Sequence, residues 1–449
     1  MTTLNKVSPS PVAYAPAGAL APARPFLPLL AILFVGSGCA ALIYEIVWLQ
    51  LLQLVIGASA ISLGVLLGTF MGGMCLGSLL LPKVVSRRRH PLRIYALLEV
   101  LIGVCGLLVL VVVPRLGVVY AHWATPGAGS VILRAVIAGL CLVPPTLLMG
   151  ATLPAIARYV ETTPKGVSWL GFFYGGNIVG AVFGCLLAGF YLLRLHNMPT
   201  ATWVAFGINM LVATLALALS FAAPHRVSES ESAEEAKEDA PIAVAGEQGP
   251  AGLVYLVIAI SGLTGLGAEV VWTRLLSLML GATVYTFSII LAVFLLGLGI
   301  GSTAGASIAR NTKRPRSALA MCQFLLALGI GWAAYAIGDS LPFWPINLEM
   351  TSSPWITFQV DLARALWTLI PAAILWGASF PLALASVPAR RGSDAGTLVG
   401  RVYAANTVGA IVGALGFSVL VIPMIGTLHA QQLLMGLCLV SALLATLPL

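Results

Sequence analysis

Two acidic residues stand at matching places in two similar apolar stretches of this chain. Glu45 lies in the stretch 37–78 and Glu269 in the stretch 261–302, at a constant offset of 224 residues. At this offset 16 of the 42 aligned positions are identical, which indicates an internal repeat rather than a chance match. Because a carboxyl group inside a membrane is costly, each acid is predicted to bind a cation or to exchange a proton for one.

A local role competes with this interpretation. Each acid could instead cap a helix or pair near the membrane interface, and Arg274, five residues after Glu269, could offset its charge. The counterpart of Arg274 is Gln50, so the two stretches differ here. Trp48 and Trp272 each follow an acid by three residues. We expect them to be interfacial anchors, with contact to a bound cation as the second interpretation.

Glu99 is a further ionisable residue within an apolar segment. Its counterpart at the same offset is Gln323. Since only one of the two carries a charge, a structural hydrogen bond from Glu99 to another helix is favoured over contact with a ligand. Asp361 and Arg364 are one helical turn apart, and this spacing predicts an ion pair between them.

Two more pairs of polar residues recur at an offset of 229. Asn177 matches Asn406, and these amides could bond across helices or line a path for a solute. Tyr174 matches Tyr403, and these rings could pack in the core or present an aromatic face to a cation. All four are therefore candidates for contact with a substrate or ion.

The composition decides the environment of these residues. The chain has 449 residues, of which 59% are hydrophobic and 8% charged, and its mean hydropathy is +1.01. A soluble domain carries about 25% charged residues, so this chain requires a lipid bilayer. The net charge of +8 is attributed to basic loops, not to nucleic-acid binding. The seven cysteines lie in apolar segments without a CxxC motif, so no metal, disulfide or cofactor is predicted.

Hydrophobic runs of about 20 residues predict twelve transmembrane helices. The predicted fold is an all-α polytopic membrane protein made of two parallel six-helix repeats, as in the major facilitator architecture. The predicted spans lie near 27–50, 55–81, 93–114, 131–158, 169–193, 198–222, 251–273, 279–308, 317–338, 360–386, 398–422 and 428–448.

Loop charges and composition give the predicted topology and organisation. Arginines and lysines concentrate in the loops after spans two, four, eight and ten, which places both termini in the cytoplasm of a bacterial inner membrane. Residues 1–24 are predicted to be a flexible tail, and residues 223–250 a disordered acidic linker. These segments flank two six-helix halves, 25–222 and 251–449.

Glycines at four-residue spacing recur in both halves. Small residues at this spacing allow helix backbones to approach closely in membranes, so a packing role is predicted for them. These glycines are Gly73, Gly77, Gly297, Gly301, Gly180, Gly184, Gly409 and Gly413.

Several motifs that occur in order and in both halves carry a family resemblance. They are the S-G-x(6)-E-[IV]-V-W blocks at 37–48 and 261–272, the G-A-T-L-P and G-A-S-F-P blocks at 150–154 and 377–381, and Y-A-A-N-T-V-G-A at 403–410. Over nearly its whole length the chain resembles the membrane portion of the fused major-facilitator/spermidine-synthase family. In that family a cytoplasmic aminopropyltransferase-like domain commonly follows the last span, whereas this sequence stops at Leu449.

Two functions follow from the acids and the resemblance. The first is a secondary carrier of small organic cations, with polyamines implied by the resemblance alone. The second is a membrane scaffold for an aminopropyltransferase-like domain or partner, without transport of its own. No nucleophile–base pair, HExxH motif or metal cluster is visible, and no catalytic residue is predicted. The expected partners are the bilayer and a small-molecule substrate, with no nucleic acid.

Overall fold

The computed structural model describes residues 27–56, 60–85, 89–123, 128–160, 166–222, 251–344, 353–387 and 395–447. The predicted tail 1–24 and the predicted linker 223–250 lie outside these ranges. Within them the chain is helical almost throughout and contains no β-strand. The prediction of an all-α polytopic membrane protein is therefore confirmed.

Twelve long helices make up the described part of the chain. They are α1 Leu27–Ile56, α2 Ala60–Val84, α3 Pro91–Trp123, α4 Ala128–Val160, α5 Gly166–Leu187, α6 Met198–Ala222, α7 Ala251–Leu280, α8 Val284–Asn311, α9 Pro315–Tyr335, α10 Pro354–Ser386, α11 Ala395–Gly416 and α12 Ile422–Thr446. Short π-helical turns extend α5 over Ala188–Leu192, α9 over Ala336–Ser340 and α11 over Phe417–Val421. Several helices are longer than the predicted spans, for example α3 and α10.

The last two helices form one continuous segment by hydrogen bonding, with a backbone break at one residue. Eleven described segments are long and apolar enough to span a bilayer, and the last of them, Leu398–Thr446, has 49 residues. A straight helix of that length would measure about 73 Å, more than twice the apolar thickness of a bilayer. Gly426 breaks it, with φ 75° and ψ 176°. The segment is therefore long enough for two spans, which fits the prediction of twelve.

Each central helix packs closely against one partner through glycine. In the first half α1 lies on α5, where Gly180 and Gly184 face the backbone carbonyls of Val35 and Cys39. In the second half α7 lies on α11, where the matching glycines face the carbonyls of α7 in the same way. Those glycines are Gly409, opposite Ala259, and Gly413, opposite Leu263.

The other predicted packing glycines lie at two further crossings. Gly77 of α2 faces the carbonyl of Leu147 on α4, and Gly301 of α8 faces the carbonyl of Ile374 on α10. Gly73 and Gly297 lie one turn away at the same two crossings, against Thr146 and Ala373. Equivalent glycines thus make equivalent contacts, which supports the prediction of two parallel halves; the symmetry axis itself stays a prediction.

Two helix pairs join the halves. Helix α2 packs against α11, and α5 packs against α8. We call the end of the bundle that carries Arg89, Arg310, Lys313 and Arg314 the basic end. Helices α1, α5, α7 and α11 begin at this end, and α1 and α7 run through the middle of the bundle.

Candidate functional site

The repeated acids lie inside the bundle. Glu45 on α1 and Glu269 on α7 are each 3% exposed. Each stands 3.5 residues past the midpoint of a 30-residue helix, which is about 5 Å towards the end opposite the basic end. The matching register of the two helices therefore puts both carboxyl groups at the same depth.

The two carboxyl groups lie within electrostatic range of each other, and Cys185 of α5 lies within electrostatic range of both. Glu269 Oε1 has no hydrogen-bond partner among the described residues. A buried carboxyl oxygen without a partner is costly, and such groups commonly mark a place where a proton or ligand binds.

No protein cation neutralises this pair in the described part of the chain. The ion pair found there joins Arg364 to Asp361 at 3.1 Å, as the spacing on α10 predicts. Arg274 is exposed and forms no salt bridge with Glu269, so the expectation that it offsets that acid is wrong. Its position, five residues on, turns it to another face of α7.

The two tryptophans do not anchor the chain at the membrane interface. Trp48 is 1% exposed and Trp272 is fully buried, so that prediction is wrong. The reason is that neighbouring helices surround α1 and α7, leaving these positions no lipid-facing side. Trp48 stacks on Tyr44 with ring centroids 5.4 Å apart, and Trp272 Nε1 donates a hydrogen bond of 3.2 Å to Gln431 Oε1.

Glu99 links three helices by hydrogen bonds. On α3 it is completely buried, and its Oε1 accepts a 2.6 Å hydrogen bond from Ser37 Oγ of α1. Its Oε2 accepts another of 2.6 Å from Asn209 Nδ2 of α6, and nearby Tyr95 Oη donates to the backbone carbonyl of Leu33 at 3.4 Å. Glu99 is therefore bonded within the first half, which agrees with the structural interpretation.

Gln323 holds the matching position on α9. Its Nε2 donates to Ser379 Oγ of α10 at 2.9 Å and to Ser261 Oγ of α7 at 3.4 Å. Ser261 is the counterpart of Ser37. Gln323 thus also bonds to two other helices, but its second partner lies on α10, whereas that of Glu99 lies on α6, so the contact with the repeated serine is the part that the two halves share.

The asparagines also lie at helix crossings. Asn177 lies against Gly38 where α5 crosses α1, and Asn406 lies against Gly262 where α11 crosses α7. A Cβ atom on either glycine would lie within 3 Å of the asparagine Oδ1, at 2.7 Å and 2.9 Å respectively. These amides therefore fill close interhelical contacts, consistent with the structural role.

The described contact of Tyr403 lies away from the acid pair. Tyr403 packs edge-on against Phe380 of α10, with ring centroids 6.4 Å apart, towards the basic end. Tyr174 lies on α5, and its side chain is outside the described part of the structure.

The structure also contains an aromatic cluster that the sequence analysis did not predict. It lies beyond the acids, on the side away from the basic end. Phe190 of α5 contacts Tyr285 of α8 and Phe358 of α10, with ring centroids 4.4 Å and 4.3 Å apart. Tyr285 Oη donates to Asp361 Oδ2 at 3.4 Å. Phe190 lies about one and a half helical turns beyond Cys185, so this cluster stands between the acid pair and the end opposite the basic end. The repeat does not mark these rings, so only their spatial convergence reveals them.

The arrangement of helices matches that of a solved transporter. The chain is similar to a bacterial homologue of the human lysosomal transporter Spinster, solved in an inward-facing and unoccupied conformation. The TM-score is 0.53 and the identity 13%, with 95% of this chain and 96% of that chain covered. The chain has a membrane-transporter fold of the major-facilitator type. At this identity the likeness establishes the fold, not the substrate.

Part of the chain is similar to two proteins of Streptomyces coelicolor. One is polyamine aminopropyltransferase 1, with 25% identity over 176 residues, and the other is polyamine aminopropyltransferase 2, with 31% identity over 186 residues. These regions cover 39% and 40% of this chain and 30% and 31% of the relatives, so the chain spans about a third of their length. No family model matches the chain. The transporter fold and these relatives together match the membrane portion of a fused major-facilitator/spermidine-synthase protein.

Proposed function

We propose that this protein is a secondary carrier that moves small organic cations across a membrane in exchange for protons. The observation that carries the proposal is the Glu45–Glu269 pair. One acid comes from each half, both are buried at the same depth, and no described cation pairs with either. A carrier of this fold binds its solute between the halves, where each half can contribute a ligand.

Polyamines are the substrate class we favour. Both curated relatives are named for polyamine chemistry, and a polyamine carries several ammonium groups that two carboxylates can bind. The aromatic side chains around the acids could accept the alkyl portion of such a solute. Asn177, Asn406, Tyr174 and Tyr403 contribute less to this proposal, because the described contacts place the asparagines and Tyr403 at helix crossings or in packing.

Orientation and organisation complete the proposal. The basic loops favour a bacterial inner membrane with both termini in the cytoplasm. The chain is organised as two six-helix halves, 25–222 and 251–449, joined by the linker 223–250 and preceded by the tail 1–24. The halves are related by an axis along the membrane normal.

A scaffold is the second candidate function, and the similarity to aminopropyltransferases favours it. In that case the membrane helices hold an aminopropyltransferase-like domain or partner and transport nothing. The paired buried acids then have no evident task, since a scaffold needs no costly charge in its core.

Flux measurements distinguish the two functions. We would reconstitute the protein in proteoliposomes and measure uptake of labelled putrescine and spermidine with and without a pH gradient, for wild type and for Glu45→Gln/Glu269→Gln. The carrier predicts saturable uptake that the double substitution abolishes. Glu99→Gln is the matched control, because it removes an equally buried carboxyl group outside the pair and should leave uptake largely intact. Folded wild-type protein that transports no amine would support the scaffold instead.

A further inference from the structure

We propose that the Glu45–Glu269 pair binds two positive charges at a time, so that one dicationic amine is exchanged for two protons without net movement of charge. This inference rests on the proposed carrier function and adds its stoichiometry and its preferred substrate, a linear diamine. The argument uses the charge balance of the buried pair.

The pair cannot remain ionised without a counter-charge. Both carboxyl groups are almost fully buried in an apolar bundle, where an uncompensated charge costs several kcal/mol even after relaxation. Repulsion between two ionised carboxylates would add to that cost, because the two groups lie within electrostatic range of each other. The empty pair must therefore be neutral, with a proton on each carboxyl group.

No described protein group near the acids supplies the missing charge. On the described parts of the helices packed against α1 and α7, Cys185 is the titratable group within electrostatic range of both acids, and its thiol carries no positive charge. Among the other described ionisable groups of these helices, Glu99 bonds to Ser37 and Asn209, Asp361 pairs with Arg364 and bonds to Tyr285, and Arg194 and Arg274 are exposed.

The exchange then balances in charge and protons. A dication enters, each carboxylic acid releases its proton, and one ammonium group pairs with each carboxylate. Two positive charges arrive and two leave, so the site stays neutral in both states. The carboxyl groups come from α1 and α7, lie at the same depth and are within electrostatic range of each other, which suits a solute with an ammonium group at each end. A monoamine would displace one proton and leave the other acid protonated.

Voltage dependence tests the stoichiometry in wild type. Proteoliposomes would be given a pH gradient or a potassium-diffusion potential, and uptake of putrescine and release of protons would be recorded. The proposal predicts two protons per putrescine and uptake that follows the pH gradient but not the potential. Uptake that accelerates with a negative interior would show net charge movement and overturn this inference, while the carrier function would stand. The absence of any amine flux would overturn both.

Single substitutions provide the second test. With Glu45→Gln or Glu269→Gln one proton remains for exchange, so each putrescine would carry one net positive charge and its uptake would become voltage-dependent. Butylamine, a monoamine, would still exchange for one proton without net charge. We expect the preference for putrescine over butylamine to fall about tenfold or more, equivalent to about 1.4 kcal/mol. Glu99→Gln should keep the wild-type stoichiometry. Single variants that still exchange two protons per putrescine would overturn the proposal.

Discussion

Ser37 of α1 donates a 2.6 Å hydrogen bond to Glu99 of α3, and the equivalent serine, Ser261, accepts one of 3.4 Å from Gln323. The position is conserved in space between the halves although the chemistry differs. A carboxylate accepts from Ser37 and Asn209, whereas an amide donates to two serines. The shared contact with the repeated serine therefore does not require a charged group at the position of Glu99 and Gln323.

Substitutions at Glu99 test this structural role. Glu99→Leu removes the acceptor for Ser37 and Asn209 and should lower the free energy of unfolding by about 1–3 kcal/mol, since interhelical hydrogen bonds in membranes contribute about 0.6 to 1.7 kcal/mol each. Glu99→Gln keeps one acceptor oxygen and should lower the free energy of unfolding by less. Thermal unfolding in detergent would measure both. Equal midpoints for wild type and Glu99→Leu would contradict the role.

Gly301→Ala tests the close crossing of α8 and α10. A Cβ atom there would collide with the backbone carbonyl of Ile374, and a backbone atom cannot move aside as a flexible side chain can. We expect the free energy of unfolding to fall by about 1–3 kcal/mol, as it does when other protein interiors are overpacked. Gly207→Ala on α6 is the matched control, because a Cβ atom there meets nothing within 4 Å. The control should be neutral or slightly stabilising, since alanine favours helix over glycine. A Gly301 variant as stable as the Gly207 variant would disprove the close contact.

Gly426→Ala tests the backbone break near the start of α12. With φ 75° and ψ 176°, Gly426 adopts a backbone conformation that essentially only glycine tolerates. The space around it is open, so the cost of about 1–3 kcal/mol should come from the backbone alone. Gly436→Ala lies in equally open space within helix α12 and is the control. Comparable unfolding midpoints for the two variants would show that the break is not needed.

Trp272→Phe and Trp48→Phe form a matched pair at repeated positions. Trp272 donates to the buried Gln431, whereas Trp48 Nε1 has no hydrogen-bond partner among the described residues. Trp272→Phe leaves the buried amide oxygen of Gln431 without its hydrogen-bond donor and should lower the free energy of unfolding by about 1–3 kcal/mol. Trp48→Phe removes buried ring area but leaves no hydrogen-bonding group without a partner, so it should lower the free energy of unfolding by less. A larger loss for Trp48→Phe in the same unfolding assay would contradict this assignment.

The sequence alone was sufficient for the membrane architecture and for the equal depth of the acids. Apolar runs of bilayer length leave helices as the available form for this backbone, because every N–H and C=O group in lipid must be bonded within the segment. The constant offset between Glu45 and Glu269 put them at matching heights, and four-residue glycine spacing identified the helix crossings. These properties depend on local spacing along single helices, which a sequence displays directly.

Only the tertiary structure decided which face of each helix meets lipid and which meets protein. In an apolar chain both faces are hydrophobic, so periodicity does not distinguish them. Trp48 and Trp272 could therefore be expected at the interface, although neighbouring helices enclose them. The convergence of Phe190, Tyr285 and Phe358 depends on three helices from both halves, and no pattern along one helix contains it. The same holds for Glu45 and Glu269: their depth follows from the sequence, whereas the packing of the helices brings them within electrostatic range of each other.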